Sequence, residues 1–274
     1  MQDKTLSRPT LEAYLDCARA AAMAAGRHAL RQSQRRREVT QRFAHDLKLK
    51  LDRECQDVAE RIIRRRYPRH AMLGEEDTQA TSLAGEPTWI IDPIDGTVNF
   101  FHGLHLWCSS VALRVQGRIV AGAVYAPELR ACYMARSGAP ALCNGRPIAV
   151  SDTARLAQAM VATGINKDRC GQRSVADLLC ALSARTQKLR VMGSAALDLC
   201  LVASGKIDGY FESGIYLWDM AAASLIVQQA GGRCTILDQD AQHRVACVAS
   251  NARLHGALKR CLRQHALKLP GRGA

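Results

Sequence analysis

The chain has 274 residues and a formal net charge of +13, from 38 lysines and arginines against 25 aspartates and glutamates. This length suits one large domain or two closely packed halves, and 48% apolar and 23% charged residues exclude a disordered chain. Only 5% of the residues are aromatic, which argues against single-stranded nucleic-acid binding by base stacking.

The positive charge is concentrated in three stretches. They are Arg27, Arg31 and 35–37; Arg61, 64–66 and Arg69; and Lys259, Arg260, Arg263, Lys268 and Arg272. Solvated helix faces are the simplest interpretation. The alternatives are steering of an anionic substrate and direct contact with RNA, and charge alone does not separate them.

The eleven cysteines include no C-x-x-C pair, and their odd number leaves one without a partner. We therefore expect small core residues in a reducing cytoplasm rather than disulfides or a metal cluster. The alanine-rich stretch 18–25 is too short to span a bilayer, so the sequence predicts a cytoplasmic protein with no membrane partner.

The first half of the chain predicts two helices followed by strands. Helical periodicity covers residues 10–38, and a second helix is expected over 52–67, closed by Pro68. Strands are predicted at 89–91, at 111–114 and 119–125 as a hairpin around Gly117, and at 132–135, before a tight turn at 144–145.

The second half of the chain alternates between predicted strands and predicted helices. Strands are predicted at 161–164, 189–192, 207–212 and 248–250, and helices at 174–184, 194–203, 219–230 and 252–266. No linker separates the halves. We therefore predict an α+β protein in layers, with residues 1–274 as a single catalytic unit made of an N-terminal α+β half (1–155) and a C-terminal α/β half (156–274).

One acidic segment, residues 74–100, stands out in this basic chain. Asp92 and Asp95 flank a proline after an apolar strand, and Gly96 and Thr97 follow. Carboxylates so close together repel each other unless a cation lies between them. Oxygen ligands without a nearby histidine or cysteine favour Mg²⁺. A solvated turn is the alternative for the motif taken alone.

Further acidic residues fit the same site. Glu75 and Glu76 follow the short apolar segment 71–74, and Asp219 begins a predicted helix that ends at a glycine pair. Taken alone, Asp219 is explained as an ordinary carboxylate at a helix N-terminus, and Glu212 as a surface residue.

Four blocks resemble the signature motifs of the inositol monophosphatase family in order and approximate spacing. They are Gly74-Glu75-Glu76; Trp89-Ile90-Ile91-Asp92-Pro93-Ile94-Asp95-Gly96-Thr97; Gly193-Ser194-Ala195-Ala196-Leu197-Asp198-Leu199; and Trp218-Asp219-Met220. The resemblance extends over about residues 11–265. It implies a layered αβαβα sandwich of the inositol-monophosphatase/fructose-bisphosphatase type and Mg²⁺-dependent, often Li⁺-sensitive, phosphomonoester hydrolysis by a homodimer.

The resemblance also implies a role for each site residue. Glu75, Asp92 and the carbonyl of Ile94 would hold a first Mg²⁺, while Asp92, Asp95 and Asp219 would hold a second. The resemblance is compatible with two or three ions in each site. Glu75 and Thr97 would be the catalytic residues that activate the attacking water. The substrate-binding residues would be Gly96, Thr97, Ala195, Glu212 and Asp219, whereas Glu76 and Asp77 would lie outside the metal sites.

The chain departs from the family pattern ahead of the second helix. Lys48-Leu49 replaces the Val-Thr pair that commonly lies between Asp46 and Asp52, and Gln41 replaces a frequent lysine. These departures leave the third-metal occupancy and the response to Li⁺ open.

The substrate is expected to be inositol monophosphate or a similar small phosphorylated polyol, because Val98-Asn99-Phe100 is closer to the inositol-phosphatase form than to related branches. Histidinol phosphate and fructose 1,6-bisphosphate are the alternative substrates. An RNA-associated protein of the same fold is the alternative from another class.

Overall fold

The computed structural model describes residues 6–43, 47–77, 87–165 and 173–264. Seven α-helices occur in these ranges. They are α1 (Arg8–Arg31), α2 (Lys50–Arg66), α3 (Thr97–His102), α4 (Arg173–Arg185), α5 (Ala195–Ala203), α6 (Leu217–Gln229) and α7 (His255–Gln264). Short 3-10 turns cover Ser33–Arg35 and Leu156–Gln158.

The strands of the described ranges form three sheets. A two-stranded hairpin pairs β1 (Val39–Arg42) with β2 (Leu47–Leu49). The seven-stranded sheet has the order β3 (Ala71–Gly74), β4 (Thr88–Asp95), β5 (Cys108–Val115), β6 (Arg118–Ala126), β7 (Ala131–Arg136), β8 (Leu142–Cys143) and β9 (Arg146–Pro147). The five-stranded sheet has the order β11 (Lys188–Arg190), β10 (Met160–Thr163), β12 (Gly209–Tyr216), β14 (Arg244–Asn251) and β13 (Gly232–Gln239).

Alternation along the strands places one helix layer on each face of the seven-stranded sheet. Trp89 and Ile91 of β4 pack in the core cluster that contains α1 and α2, whereas Ile90 packs in the cluster that contains α5 and α6. Successive strand residues point to opposite faces, so a strand that is buried throughout must be covered on both sides.

The five-stranded sheet is covered in the same way. Tyr210 and Cys247 pack with α5 and α6, while Phe211 and Val248 pack with α4 and α7. The layers therefore follow the order α1/α2, seven-stranded sheet, α5/α6, five-stranded sheet and α4/α7. This confirms the predicted α+β fold with αβαβα layering.

The central helix layer joins the two sheets closely. Helices α5 and α6 are apolar on nearly all sides, as expected for helices buried between sheets. A Cβ at Gly122 of β6 would lie only 2.9 Å from Cα of Ala222 in α6, so glycine is what permits this approach. One core cluster thus contains residues from both halves of the chain.

Several observed helices and strands differ from those predicted from the sequence. Helix α1 ends at Arg31 rather than near residue 38, and β4 continues beyond Ile91 to Asp95. The sequence did not predict helix α3 or the short strands β1, β2, β3, β8 and β9. It also missed the edge strand β13, whose half-exposed side chains show no clean alternation. Residues 265 and 266 of the last predicted helix lie outside the described ranges.

Cysteine burial largely follows the prediction. Seven described cysteines are buried, two are partly buried and Cys180 is exposed, and all ten are free thiols. Cys170 lies outside the described ranges. Within those ranges, no helix combines the length and apolar character needed to cross a membrane.

Candidate metal centre and active site

The carboxyl end of β4 carries the first two site residues. Asp92 pairs with Ser110 of β5 and Asp95 with Cys108, so three steps along β4 oppose two along β5. Pro93 lies in this bulge, where the ladder does not need its missing N–H, and the carbonyl of Pro93 accepts a 2.6 Å hydrogen bond from the Ser109 hydroxyl. The bulge lets both aspartates face the same region.

Asp219 reaches this region from the first turn of α6. Its Oδ2 accepts a 2.7 Å hydrogen bond from the backbone N–H of Tyr216, which fixes the carboxylate at the helix N-terminus. Asp92, Asp95 and Asp219 each offer one oxygen, and these three oxygens lie within 4.8 Å of one another. The structure therefore brings together the three aspartates that the sequence predicted as metal ligands.

The electrostatics of this group favour a bound cation. Asp92 is 1% exposed, and its Oδ1 has no hydrogen-bond partner among the described residues. Burial, followed by the charges of Glu75, Asp95 and Asp219, raises the pKa of Asp92 well above its usual range. Burial and the charges of Asp95 and Glu75 do the same for the pKa of Asp219. An oxygen-only donor set with an unpartnered buried oxygen fits a hard divalent ion.

Asp95 differs from Asp92 because protein donors surround it. Its Oδ2 accepts hydrogen bonds from the Ser194 hydroxyl (2.5 Å) and the Ala196 N–H (2.8 Å), and its Oδ1 accepts one from the Ala195 N–H (3.2 Å). Burial raises the pKa of Asp95, and these donors counteract the rise. Asp95 thus connects the seven-stranded sheet to the N-terminus of α5.

Glu75 approaches the group from the neighbouring strand. It follows β3, which runs parallel to β4, and its backbone N–H donates to the Ile91 carbonyl at 3.1 Å. Its charge contributes to the raised pKa of both Asp92 and Asp219. The three oxygens that lie within 4.8 Å of one another belong to the aspartates alone, so Glu75 stays a predicted ligand beside them.

Gly96 and Thr97 form the turn from β4 into α3. Gly96 has φ = +91°, a conformation that favours glycine, and Thr97 is the first residue of the helix. The Thr97 hydroxyl donates a 3.0 Å hydrogen bond to the Ile94 carbonyl. This bond sets the direction of the hydroxyl, and the Ile94 carbonyl keeps a second lone pair for another partner.

Glu212 lies on β12 near the aspartates. Its Oε2 accepts a 2.5 Å hydrogen bond from the buried Tyr210 hydroxyl, and the Gly164 N–H also donates to this carboxylate. Burial raises the pKa of Glu212 to about 7, against these bonds, and the charge of Asp95 adds to the rise. Ala195, the remaining predicted substrate contact, is buried at the start of α5.

Several neighbours of the site were not predicted to act there. Ser194 belongs to the quoted family block, but nothing in its spacing indicates the bond to Asp95. Asp198, from the same block, is 2% exposed, and burial together with the charges of Asp95 and Glu212 raises its pKa to about 8. Because carboxylates are seldom buried, the apolar sequence around Asp198 was a usable signal.

Comparison with known proteins identifies the family. The sequence profile of the inositol monophosphatase family matches residues 9–267. An inositol-1-monophosphatase of Synechocystis sp. is 36% identical over 268 residues, which cover 95% of this chain and 92% of that protein. A putative Nus factor SuhB of Neisseria meningitidis serogroup B is 40% identical over 186 residues, which cover 68% of this chain and 71% of that protein.

Solved structures share the fold over nearly the full length. The extragenic suppressor protein suhB from Bartonella henselae superposes with a TM-score of 0.85 at 32% identity, covering 92% of this chain and 99% of that one. The inositol monophosphatase from Anabaena (Nostoc) sp. gives a TM-score of 0.81 at 36% identity, covering 93% and 96%. The chain therefore belongs to the inositol monophosphatase family, whose members are phosphatases that hydrolyse phosphomonoesters.

Proposed function

We propose that this protein is a Mg²⁺-dependent phosphatase that hydrolyses inositol monophosphate or a similar small polyol phosphate. The observation that carries the proposal is the convergence of Asp92, Asp95 and Asp219, together with a buried Asp92 oxygen that has no partner among the residues the structure describes. Burying three ionised carboxylates together costs free energy, and hard cations between their oxygens offset this cost.

The metal ligands are the residues that supply these oxygens. Asp92, Glu75 and the Ile94 carbonyl would hold one ion, and Asp92, Asp95 and Asp219 would hold the other. When bound, Mg²⁺ neutralises phosphate charge and lowers the pKa of a coordinated water. Asp95 enters this role already oriented by Ser194 and the α5 N-terminus.

Glu75 and Thr97 position the attacking water. The Thr97 hydroxyl donates a hydrogen bond to the Ile94 carbonyl. The hydroxyl oxygen of Thr97 is therefore free to accept a hydrogen bond from a water and to orient it. The Glu75 carboxylate takes the proton from that water. The backbone N–H groups of Gly96 and Thr97 bind phosphate oxygens at the turn into α3.

The polyol side of the substrate meets the C-terminal half. Glu212 already accepts hydrogen bonds from Tyr210 and Gly164, so its carboxylate is held in one orientation, and its remaining lone pairs accept a substrate hydroxyl. Ala195 forms part of the substrate pocket wall beside Glu212, and Asp219 contacts the substrate from the α6 N-terminus.

We further propose that the protein is a cytoplasmic homodimer and that Li⁺ inhibits its activity. Residues 1–155 and 156–274 would be two halves of a single catalytic unit. The bonds from Ser194 and Ala196 to Asp95 support the single unit, because each half supplies part of the site.

Replacing a central ligand should abolish catalysis without unfolding the protein. We expect Asp92→Asn and Asp219→Asn to lower Mg²⁺-dependent phosphate release by about 100-fold or more, because each loses a charged ligand while repulsion in the core decreases. Release is measured with inositol monophosphate, histidinol phosphate, fructose 1,6-bisphosphate and 3′-phosphoadenosine phosphate, each with and without Mg²⁺ and Li⁺.

Asp16→Asn is the matched control, because Asp16 is an exposed aspartate on α1. It should behave as the unmodified protein does. Unchanged turnover in both site variants would refute the assignment, whereas a preference for another phosphate ester would correct only the substrate.

The buried carboxyls also predict how stability depends on pH. Burial is the main cause of the raised pKa of Asp198 (about 8) and of Glu212 (about 7), against about 4 in an unfolded chain. Both groups take up protons on folding, so stability is full below the unfolded pKa and decreases as pH rises through the folded one. The metal-free protein should therefore have a lower Tm at pH 8.5 than at pH 6.

Asp198→Asn should reduce this decrease in Tm, and Asp16→Asn should leave it unchanged. Added Mg²⁺ should raise Tm more at pH 8.5 than at pH 6, because more site carboxyls are ionised there. Differential scanning fluorimetry after chelation measures both effects. A metal-free Tm that is constant or rises between these pH values would contradict this account.

RNA association is a second candidate function. The observation that favours it is a set of exposed arginines at the end of α2, together with relatives named as putative Nus factors. These arginines are Arg61, 64–66 and Arg69. Phosphate contacts through arginine weaken steeply with salt and do not depend on the metal ligands.

The triple substitution Arg61→Gln, Arg65→Gln and Arg69→Gln should weaken a salt-dependent RNA gel shift by about 10-fold or more. Asp95→Asn should leave the shift intact. No shift in low salt, or an equal shift in the triple variant, would reject RNA binding by this surface.

A further inference from the structure

A second acidic group includes Glu75 and two neighbouring carboxylates. Asp52 in α2, together with Glu75 and Glu76 after β3, supplies its three carboxylates, and Lys48 of β2 supplies an ammonium group. The Lys48 Nζ lies 3.0 Å from Oε2 of Glu76 and donates to the Glu75 carbonyl at 3.5 Å. We call these four residues the Lys48 cluster.

Negative charge exceeds positive charge in the Lys48 cluster. Asp52 is 2% exposed; its Oδ2 accepts the Leu49 N–H at 2.7 Å, but its Oδ1 has no partner among the described residues. Oε1 of Glu76 is likewise buried without a partner in the described ranges. The charges that act on Asp52 are repulsion from Glu75 and Glu76 and attraction from Lys48.

The nearby Arg53 does not neutralise the carboxylates of the cluster. The Arg53 guanidinium forms ion pairs with Asp57 (2.9 Å) and Asp77 (3.4 Å), and reaches only the backbone carbonyl of Glu76, at 3.4 Å. Arg53 thus pairs with carboxylates outside the cluster, whereas the Lys48 ammonium contacts the Glu76 carboxylate inside it.

The position of Lys48 follows from the β1–β2 hairpin. Gln41 and Lys48, both departures from the family pattern, are partners across this hairpin. The next residue, Leu49, is buried in the α1/α2 core and anchors the strand just before α2 begins. Because neighbouring strand residues point to opposite faces, burying Leu49 turns Lys48 away from that core, toward the carboxylates.

We propose that the Lys48 ammonium is the resident cation of this cluster and occupies the place that a further divalent ion would otherwise take among Asp52, Glu75 and Glu76. The inference builds on the proposed function, because Glu75 is there a ligand of the catalytic metal pair. The ammonium is attached to β2 through the lysine side chain, and its charge and volume exclude a divalent ion from the same place. Its hydrogen bond to the Glu75 carbonyl also holds the Glu75 backbone in position.

Counting bound ions tests the proposal without measuring activity. Equilibrium dialysis against Mn²⁺ compares the unmodified protein with Lys48→Met and with Lys50→Met. Lys50 is the matched control, because it is an exposed lysine two residues away. We expect Lys48→Met to bind one more Mn²⁺ per chain than the unmodified protein, and Lys50→Met to bind the same number as the unmodified protein.

Two further variants keep the result interpretable. Lys48→Arg retains the positive charge and should bind the number of ions found in the unmodified protein. Adding Glu76→Gln to Lys48→Met should remove the extra ion. Circular dichroism verifies folding, and Lys48→Gln replaces Lys48→Met if that variant does not fold.

Equal ion counts in the unmodified protein and Lys48→Met, over the same range of free Mn²⁺, would overturn the proposal. Failure of the proposed function looks different: the unmodified protein would bind no Mn²⁺, or Asp92→Asn would bind as many ions as it does. An extra ion in Lys48→Met would support the role of Lys48 even then.

Discussion

Repulsion between buried carboxylates is the constraint on which the rest of this structure depends. Asp92 and Asp95 end a central strand and Asp219 begins a central helix, and their oxygens approach within 4.8 Å. The repulsion is not relieved by separation, because Asp92 and Asp95 belong to a strand that is buried throughout and Asp219 lies in the first turn of a helix packed between the sheets. Protein donors compensate Asp95, but no donor in the described part of the chain reaches Oδ1 of Asp92. The remaining compensation is best supplied by divalent cations.

The layered architecture creates this arrangement. Helices α5 and α6 lie between the two sheets, and both begin next to the carboxyl end of β4. A helix N-terminus carries partial positive charge and free N–H groups, so it favours a carboxylate nearby. The α5 N-terminus receives Asp95, whereas the α6 N-terminus places its own Asp219. The same two helices thus build the central core and position the metal ligands.

Much of this was predictable because burial and local chemistry coincide. The apolar run 89–91 predicts a buried strand, and the aspartates after it predict a metal site. The missed elements had weaker signals: β13 is a half-exposed edge strand, α3 is a helix of six residues without an apolar stripe, and the other missed strands have two to four residues each. The bonds of Asp95 to Ser194 and of Lys48 to Glu76 join residues distant in sequence, and only the tertiary packing brings them together.

Anomalous diffraction from crystals soaked in Mn²⁺ would show whether these carboxylates bind metal, because Mn²⁺ takes the same oxygen ligands as Mg²⁺ and scatters anomalously. We expect two anomalous peaks next to Asp92, one on the Glu75 side and one between Asp95 and Asp219. Absence of any peak within bonding distance of Asp92, in crystals that bind Mn²⁺ elsewhere, would contradict this expectation.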